Sequence, residues 1–280
     1  GYATGDSSSV ISGSVSYTGA ATTAVDAGSY TLTSVVSDLS ASNYTFAVGT
    51  DSTLTINKAL LTVTADARTK TYDGHLFSNP YTNTITGFAN GETTSVITGA
   101  VTYSGNALTT LDSGTSTITP VISALSAKNY YFTAVDGVQT INKATITVTA
   151  SAKSKTYDSL IFSGGYTYTT SGYFGSDTSS VISGTVTYTG SAMAATTYSA
   201  SNYVITPDVS ALSSSNYVFA SANGVLTINK AVLTVTPDAK SKTYDNAVFT
   251  NAQYRSTITG YFGSDTGSVI TGSPTYSGTA

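Results

Sequence analysis

Apolar and polar residues alternate with a period of two over short runs, and the runs recur. In Ala59-Leu60-Leu61-Thr62-Val63-Thr64-Ala65, Leu61 and Val63 fall on one side and Leu60, Thr62 and Thr64 on the other. That spacing predicts a half-buried strand. The run returns from Ala144 and from Ala231; each copy is preceded by Ile-Asn-Lys (Ile56, Ile141, Ile228) and leads into Lys-Thr-Tyr-Asp (Lys70, Lys155, Lys242). Further strands are predicted at Tyr81–Thr86, Val101–Gly105, Thr115–Val121, Asn129–Phe132 and Val138–Ile141, with Asn43–Phe46 and Asn216–Phe219 as copies of the fourth. Glycine, asparagine and proline punctuate them, and no 3.6-residue period is present, so the chain reads as all-β. Pro120 and Pro207 lack a backbone donor and predict an edge strand or a bulge. Glu92-Thr93 before Val96-Ile97 predicts one helical turn, stopped by Gly99. Arg68 with Lys70, Lys153 with Lys155 and Lys240 with Lys242 share a strand face, read as solvated and as a guard against edge pairing.

From Ile56 to Ile141 is 85 residues and from Ile141 to Ile228 is 87, the period of a small domain and too long for a solenoid turn. Measured from the Asn-Lys junction, residues 58–142 and 143–229 are complete modules. Residues 1–57 are a partial module with the later strands, and 230–280 a partial module with the first strands. The expected fold is therefore a tandem array of small antiparallel or mixed β-sandwich-like modules, Ig-like or β-grasp-like, arranged as an extended rod. The joints are Asn57-Lys58, Asn142-Lys143 and Asn229-Lys230; they contain no glycine and are expected to be short and stiff. Residues 230–259 and 1–57 together amount to one module, so copies of the repeat, in one chain or in separate chains, are expected to complete one another by strand exchange.

Composition narrows the function. Of 280 residues only 9% are charged, the net charge is −4 and there is no cysteine. This leaves neither a cationic footprint for nucleic acid nor a thiolate metal site or disulfide. A hydrophobic fraction of 40% with 21 tyrosines argues for packed cores over disorder. No apolar run is long enough for a membrane span.

Catalytic groups are not assembled by the pattern. His75, the single histidine, falls in a turn in one module only, so no Ser-His-Asp arrangement is expected. Asp73, Asp158 and Asp245 read as turn residues whose carboxylates bond to nearby backbone. Asp6, Glu92, Asp177 and Asp265 recur at one repeat position and are the candidates for a calcium site, although each stands singly where calcium favours clustered carboxylates. The tyrosines suit core packing, with sugar stacking as the rival use. No cofactor is expected.

The alternating Leu-Thr-Val-Thr strand, Lys-Thr-Tyr-Asp, Gly-x-x-Asp/Glu-Thr, Ser-Asn-Tyr-x-Phe and Leu-Thr-Ile-Asn-Lys together resemble the MBG and YDG-type repeat domains of very large bacterial surface proteins, in register along the whole chain. The resemblance implies a non-enzymatic stalk or spacer in an extracellular adhesin or fibre. Expected partners are neighbouring copies of the repeat and, beyond them, a cell-surface glycan or protein. A self-assembling filament subunit and a glycan-binding module are the alternatives.

Overall fold

The computed structural model describes residues 1–278. Leu61 and Val63 are fully buried and Ala65 nearly so, whereas Leu60, on the opposite side of the strand, is exposed. The alternation is thus realised as a strand with one face in a core. Ile146, Val148 and Ala150 repeat it.

The chain resolves into two compact units, Gly1–Lys70 with His75–Asn142, and Thr71–Gly74 with the residues from Lys143 onward. In the first unit, β1 (Ser16–Thr18), β2 (Gly28–Val35) and β3 (Ser52–Ile56) form one antiparallel sheet. The repeat that follows carries β4 (Ala59–Ala65), β5 (Arg68–Thr71), β6 (Asn83–Thr86), β7 (Thr102–Ser104), β8 (Gly114–Val121), β9 (Tyr130–Val135) and β10 (Gly137–Asn142). These make two small sheets, ordered β6-β4-β9 and β5-β10-β8-β7. The second unit holds the same set as β11 (Ala144–Ala150), β12 (Lys153–Thr156), β13 (Tyr168–Ser171), β14 (Thr187–Thr189), β15 (Tyr203–Asp208), β16 (Tyr217–Ala222) and β17 (Gly224–Asn229). Their orders are β13-β11-β16 and β12-β17-β15-β14, and a final pair, β18 (Thr234–Pro237) and β19 (Ser256–Thr259), follows. Each full repeat is a mixed, sandwich-like pair of sheets. Helical structure among the described residues is confined to 3-10 turns.

The topology has one decisive property: a repeat closes on itself. Its first strand pairs in parallel with its second-to-last, Ala59 opposite Tyr130 and Ala144 opposite Tyr217. Its second strand neighbours its last, with Lys153 opposite Leu226. Both pairings span most of the repeat, so neither forms without both ends of it. Cores sit between the sheets. Ala65, Ala107 and Ile118 gather Tyr81 and Tyr103, and Ala150, Ala192, Ile205, Leu226 and Ile228 gather Tyr166 and Tyr188.

Four expectations are corrected. Asn43–Phe46 is not a strand, and neither is Lys240–Thr243, because the strand that each would pair with belongs to the other half of a repeat. The strand with Pro120 or Pro207 is interior, not an edge. Its proline is tolerated because pairing with β10 or β17 has ended at Ile118 or Ile205, leaving only β7 or β14 alongside. The basic face is only partly solvated. Lys155 Nζ turns back onto the Asp158 carboxylate and, at 2.6 Å, the Leu160 carbonyl, and Lys70 Nζ reaches the His75 carbonyl at 2.5 Å. Last, the strand expected at Tyr81–Thr86 begins only at Asn83.

The single helical turn occurs as expected. Thr94–Val96 is a 3-10 turn with Thr93 at its N-cap. The turn stops before Gly99, at Ile97, whose backbone is extended; Gly99 lies two residues further on at φ +94°, where a Cβ would lie 2.0 Å from the Ala124 carbonyl oxygen, so a side chain is excluded there by both backbone and space.

Candidate functional site: a repeated tyrosine–carboxylate clasp

The recurring carboxylates and tyrosines meet. Tyr217 at the start of β16 donates its hydroxyl to Asp177 Oδ2 at 2.7 Å and accepts the Phe174 N–H at 2.9 Å. Tyr130 on β9 does the same with Glu92 and with the Ala89 N–H. Tyr44 repeats it with Asp6 Oδ2 at 2.6 Å and the Ala3 N–H at 2.7 Å. The sequence dictates the geometry locally: a tight turn with glycine one or two residues before the acid brings the carboxylate to the tyrosine, and the N–H three residues before the acid fills the phenol's remaining capacity.

A second tyrosine, from the preceding repeat, joins the same carboxylate. Tyr72, from the Thr71–Gly74 turn that packs in the second unit, donates to Asp177 Oδ2 at 2.9 Å and stands edge-on to Tyr217 at 5.4 Å. Tyr157 donates to Asp265 Oδ2 at 2.8 Å and stands edge-on to Phe262 at 6.3 Å. The turn that presents Tyr157 is built by Asp158, which accepts the Leu160 N–H at 2.9 Å; Ser159 adopts φ +59° where Gly74 has +75°.

Electrostatics follow from this packing. Burial, then the hydrogen bond to Asp177, push the Tyr72 phenol up to about 12. Burial is also the main cause that raises Tyr217, while for Tyr130 and Tyr157 the hydrogen bonds to Glu92 and Asp265 lead. Each phenol is held neutral as a donor to a carboxylate, which is the arrangement of a structural bolt. It offers no activated nucleophile.

The joint residues close the same region. Lys58 Nζ donates to the Ala127 carbonyl at 2.8 Å, and Lys143 Nζ to the Ser214 carbonyl at 2.7 Å. Both acceptors lie in the loop that leads to the clasp tyrosine. Lys230 instead sits 4.9 Å over the Tyr198 ring. Asn142 and Asn229 end β10 and β17, and Asn57 lies beside Asp26 and Asn129 in a cavity of about 370 Å³. There Asp26 binds Lys128 at 2.5 Å and Asn129 at 2.9 Å, and these two bonds, in that order, hold its carboxyl below the usual carboxylate range.

For the calcium candidates the geometry assigns Asp6, Glu92, Asp177 and Asp265 to tyrosines. Among the described residues there is no group of three or more His, Cys, Asp or Glu side chains that could hold a metal. The sequence pattern assigned the tyrosines to core packing and Asp6, Glu92, Asp177 and Asp265 to a calcium site, and missed that they bind each other; their near-equal repeat spacing was the signal.

Two stretches, residues 61–140 and 146–227, match the profile of the MBG domain, YGX type, and together they are more than half of the chain. The chain belongs to the MBG domain family. The MBG match begins inside the first strand and ends inside the last strand of each repeat, β4 and β10 in one and β11 and β17 in the other. MBG domains are structural, non-catalytic repeats that occur in surface proteins. No curated protein matched the chain. No helix among the described residues is long and apolar enough to cross a membrane.

Proposed function

We propose that this chain is a spacer segment of an extracellular bacterial adhesin or fibre, in which MBG repeats 58–142 and 143–229, with partial repeats on either side, set distance and transmit force. The observation that carries the reading is the recurrent bolting of the joints. One residue, Lys143, separates β10 from β11, the joint lysines are tied to backbone carbonyls, and Tyr72 and Tyr157 are tied to carboxylates of the following repeat. A linker made only to connect would be glycine-rich and unattached. In the clasps the phenols and carboxylates bond to one another, which suits a load-bearing element.

The test is replacement of Asn142-Lys143-Ala144 by Gly-Ser-Gly. The expected outcome is unchanged circular dichroism of the modules and a shorter maximum dimension with broader distance distribution in small-angle scattering. An unchanged scattering profile would overturn the spacer reading.

A further inference from the structure

In each complete repeat the opening pair of strands and the closing pair run side by side. β11 lies parallel to β16, from Ala144 opposite Tyr217 to Thr149 opposite Ala222, and β12 lies parallel to β17, from Lys153 opposite Leu226 to Thr156 opposite Asn229. The sequence offset between partners is the same in both pairings. Residues 144–156 and 217–229 are therefore two ribbons that pass together from one sheet into the other and keep their register across the bend. At its two ends this ladder carries the Ala144 N–H on the Asn216 carbonyl at 2.9 Å and the Tyr157 N–H on the Asn229 carbonyl at 2.8 Å. Repeat 58–142 has the same arrangement, with Ala59 opposite Tyr130 and β5 beside β10.

The ends of the ribbons are also the ends of the repeat. The chain enters at the start of the first ribbon, after Lys143, and leaves at the end of the second, before Lys230. Parallel neighbours have both starts at one end, so entry and exit lie at opposite ends of the ribbon pair. Tension along the chain then draws the first ribbon towards its N-terminus and the second towards its C-terminus. Neighbours drawn apart in this way must slide past each other, and the ladder bonds, which lie across the load, share it. Antiparallel terminal strands would place entry and exit at one end, where a single bond at the fork takes the whole load and the bonds break in turn. β12 and β16 are edge strands, and within the sheets each pairs only with the opposite ribbon. Once the ladder slips, neither has another strand to hold it.

We propose that the paired ribbons are the mechanical clamp of the repeat: under end-to-end tension, the parallel ladder between residues 144–156 and 217–229, and its copy in repeat 58–142, sets the force at which a repeat opens. The inference rests on the force-transmitting spacer reading and assigns the load inside each repeat to main-chain bonds. Forced unfolding is governed by the unfolding rate and not by equilibrium stability. One folded repeat therefore has different strengths when it is pulled along the ladder and when the ladder is peeled from one end.

The chain has no cysteine, so thiol-linked handles report only from the positions chosen for them. In the full chain, Asn142→Cys with Lys230→Cys loads the ribbons of repeat 143–229 from opposite ends, and Asn142→Cys with Ser213→Cys loads them from the same end; all three positions are exposed. Thermal melts that match the parent chain establish that both variants are pulled from the same native state. In single-molecule pulling at one loading rate, the opposite-end pair is expected to withstand at least twice the force of the same-end pair. Equal forces in the two geometries, or a lower force for the opposite-end pair, would overturn the clamp. Either of those results leaves the scattering test of the spacer reading standing, because that test reads shape without load.

Discussion

Tyr44 and Tyr130 stand at the same point of the same repeated segment, and only Tyr130 lies in a strand. The local sequence cannot be the cause, since Asn-Tyr-Thr-Phe has at least as much strand character as Asn-Tyr-Tyr-Phe. The difference is the partner. Tyr130 has Ala59 opposite it, some seventy residues earlier, and Tyr44 has no such strand within residues 1–57. The same comparison holds at the other end, where Ala144–Ala150 is a seven-residue strand and its copy β18 has four. Burial follows pairing: every fully buried apolar side chain among the described residues lies between Leu61 and Ile228. Strand formation here is therefore a property of the closed repeat, conferred by long-range pairing and not by propensity.

The sharpest way to break this comparison is in the cores. Ile146 and Leu233 occupy one repeat position, but only Ile146 is fully buried. Ile146→Ala should lower the stability of its repeat by about 2–5 kcal/mol through lost transfer energy and a cavity. Leu233→Ala should change it by less than about 1 kcal/mol. Denaturant unfolding of the full chain, followed through tyrosine fluorescence, measures both. Equal effects would mean that closure is not what builds the core.

The clasp gives the next contrast. Asp177→Ala strands the hydroxyls of Tyr72 and Tyr217, both largely buried; leaving such donors without an acceptor costs about 1–3 kcal/mol each. Asp265→Ala affects Tyr157 alone and should cost visibly less in the same thermal melts.

A smaller and pH-selective effect separates the two clasps further. The Tyr72 phenol is raised in the fold to about 12 from an ordinary value of about 10. The neutral phenol is the stabilised form, so the contribution is whole below about pH 10 and is lost as pH rises from there through about 12. Alkaline spectrophotometric titration should show a group of late-ionising tyrosines that loses one member in Tyr72→Phe, and the variant's melting temperature should fall less steeply over that interval.

Much of this architecture was legible in the chain. The period-two pattern located β4 and β11 because one face of each is buried, and Thr93 located the start of the 3-10 turn because its side chain caps it. The pattern did not reveal that Gln139 would be buried, since a polar residue on the inward face is accommodated only by partners distant in sequence, the Tyr81 hydroxyl at 2.8 Å and the Ala107 carbonyl at 3.3 Å. It misplaced Asn43–Phe46 and Lys240–Thr243 for the same reason that those segments are instructive. Their alternation matches that of true strands, and what distinguishes them lies outside the local window. The acidic residues were found by their spacing, yet their acceptor role required the fold, because each phenol and carboxylate are about 40 or about 105 residues apart.

Amide hydrogen exchange tests the central claim most directly. On the full chain, diluted until it is monomeric, residues 130–135 and 217–222 should be protected as stable strands, while residues 44–49 exchange within seconds despite the shared sequence pattern. Protection of residues 44–49 equal to that of 130–135 in the dilute monomer would contradict the account.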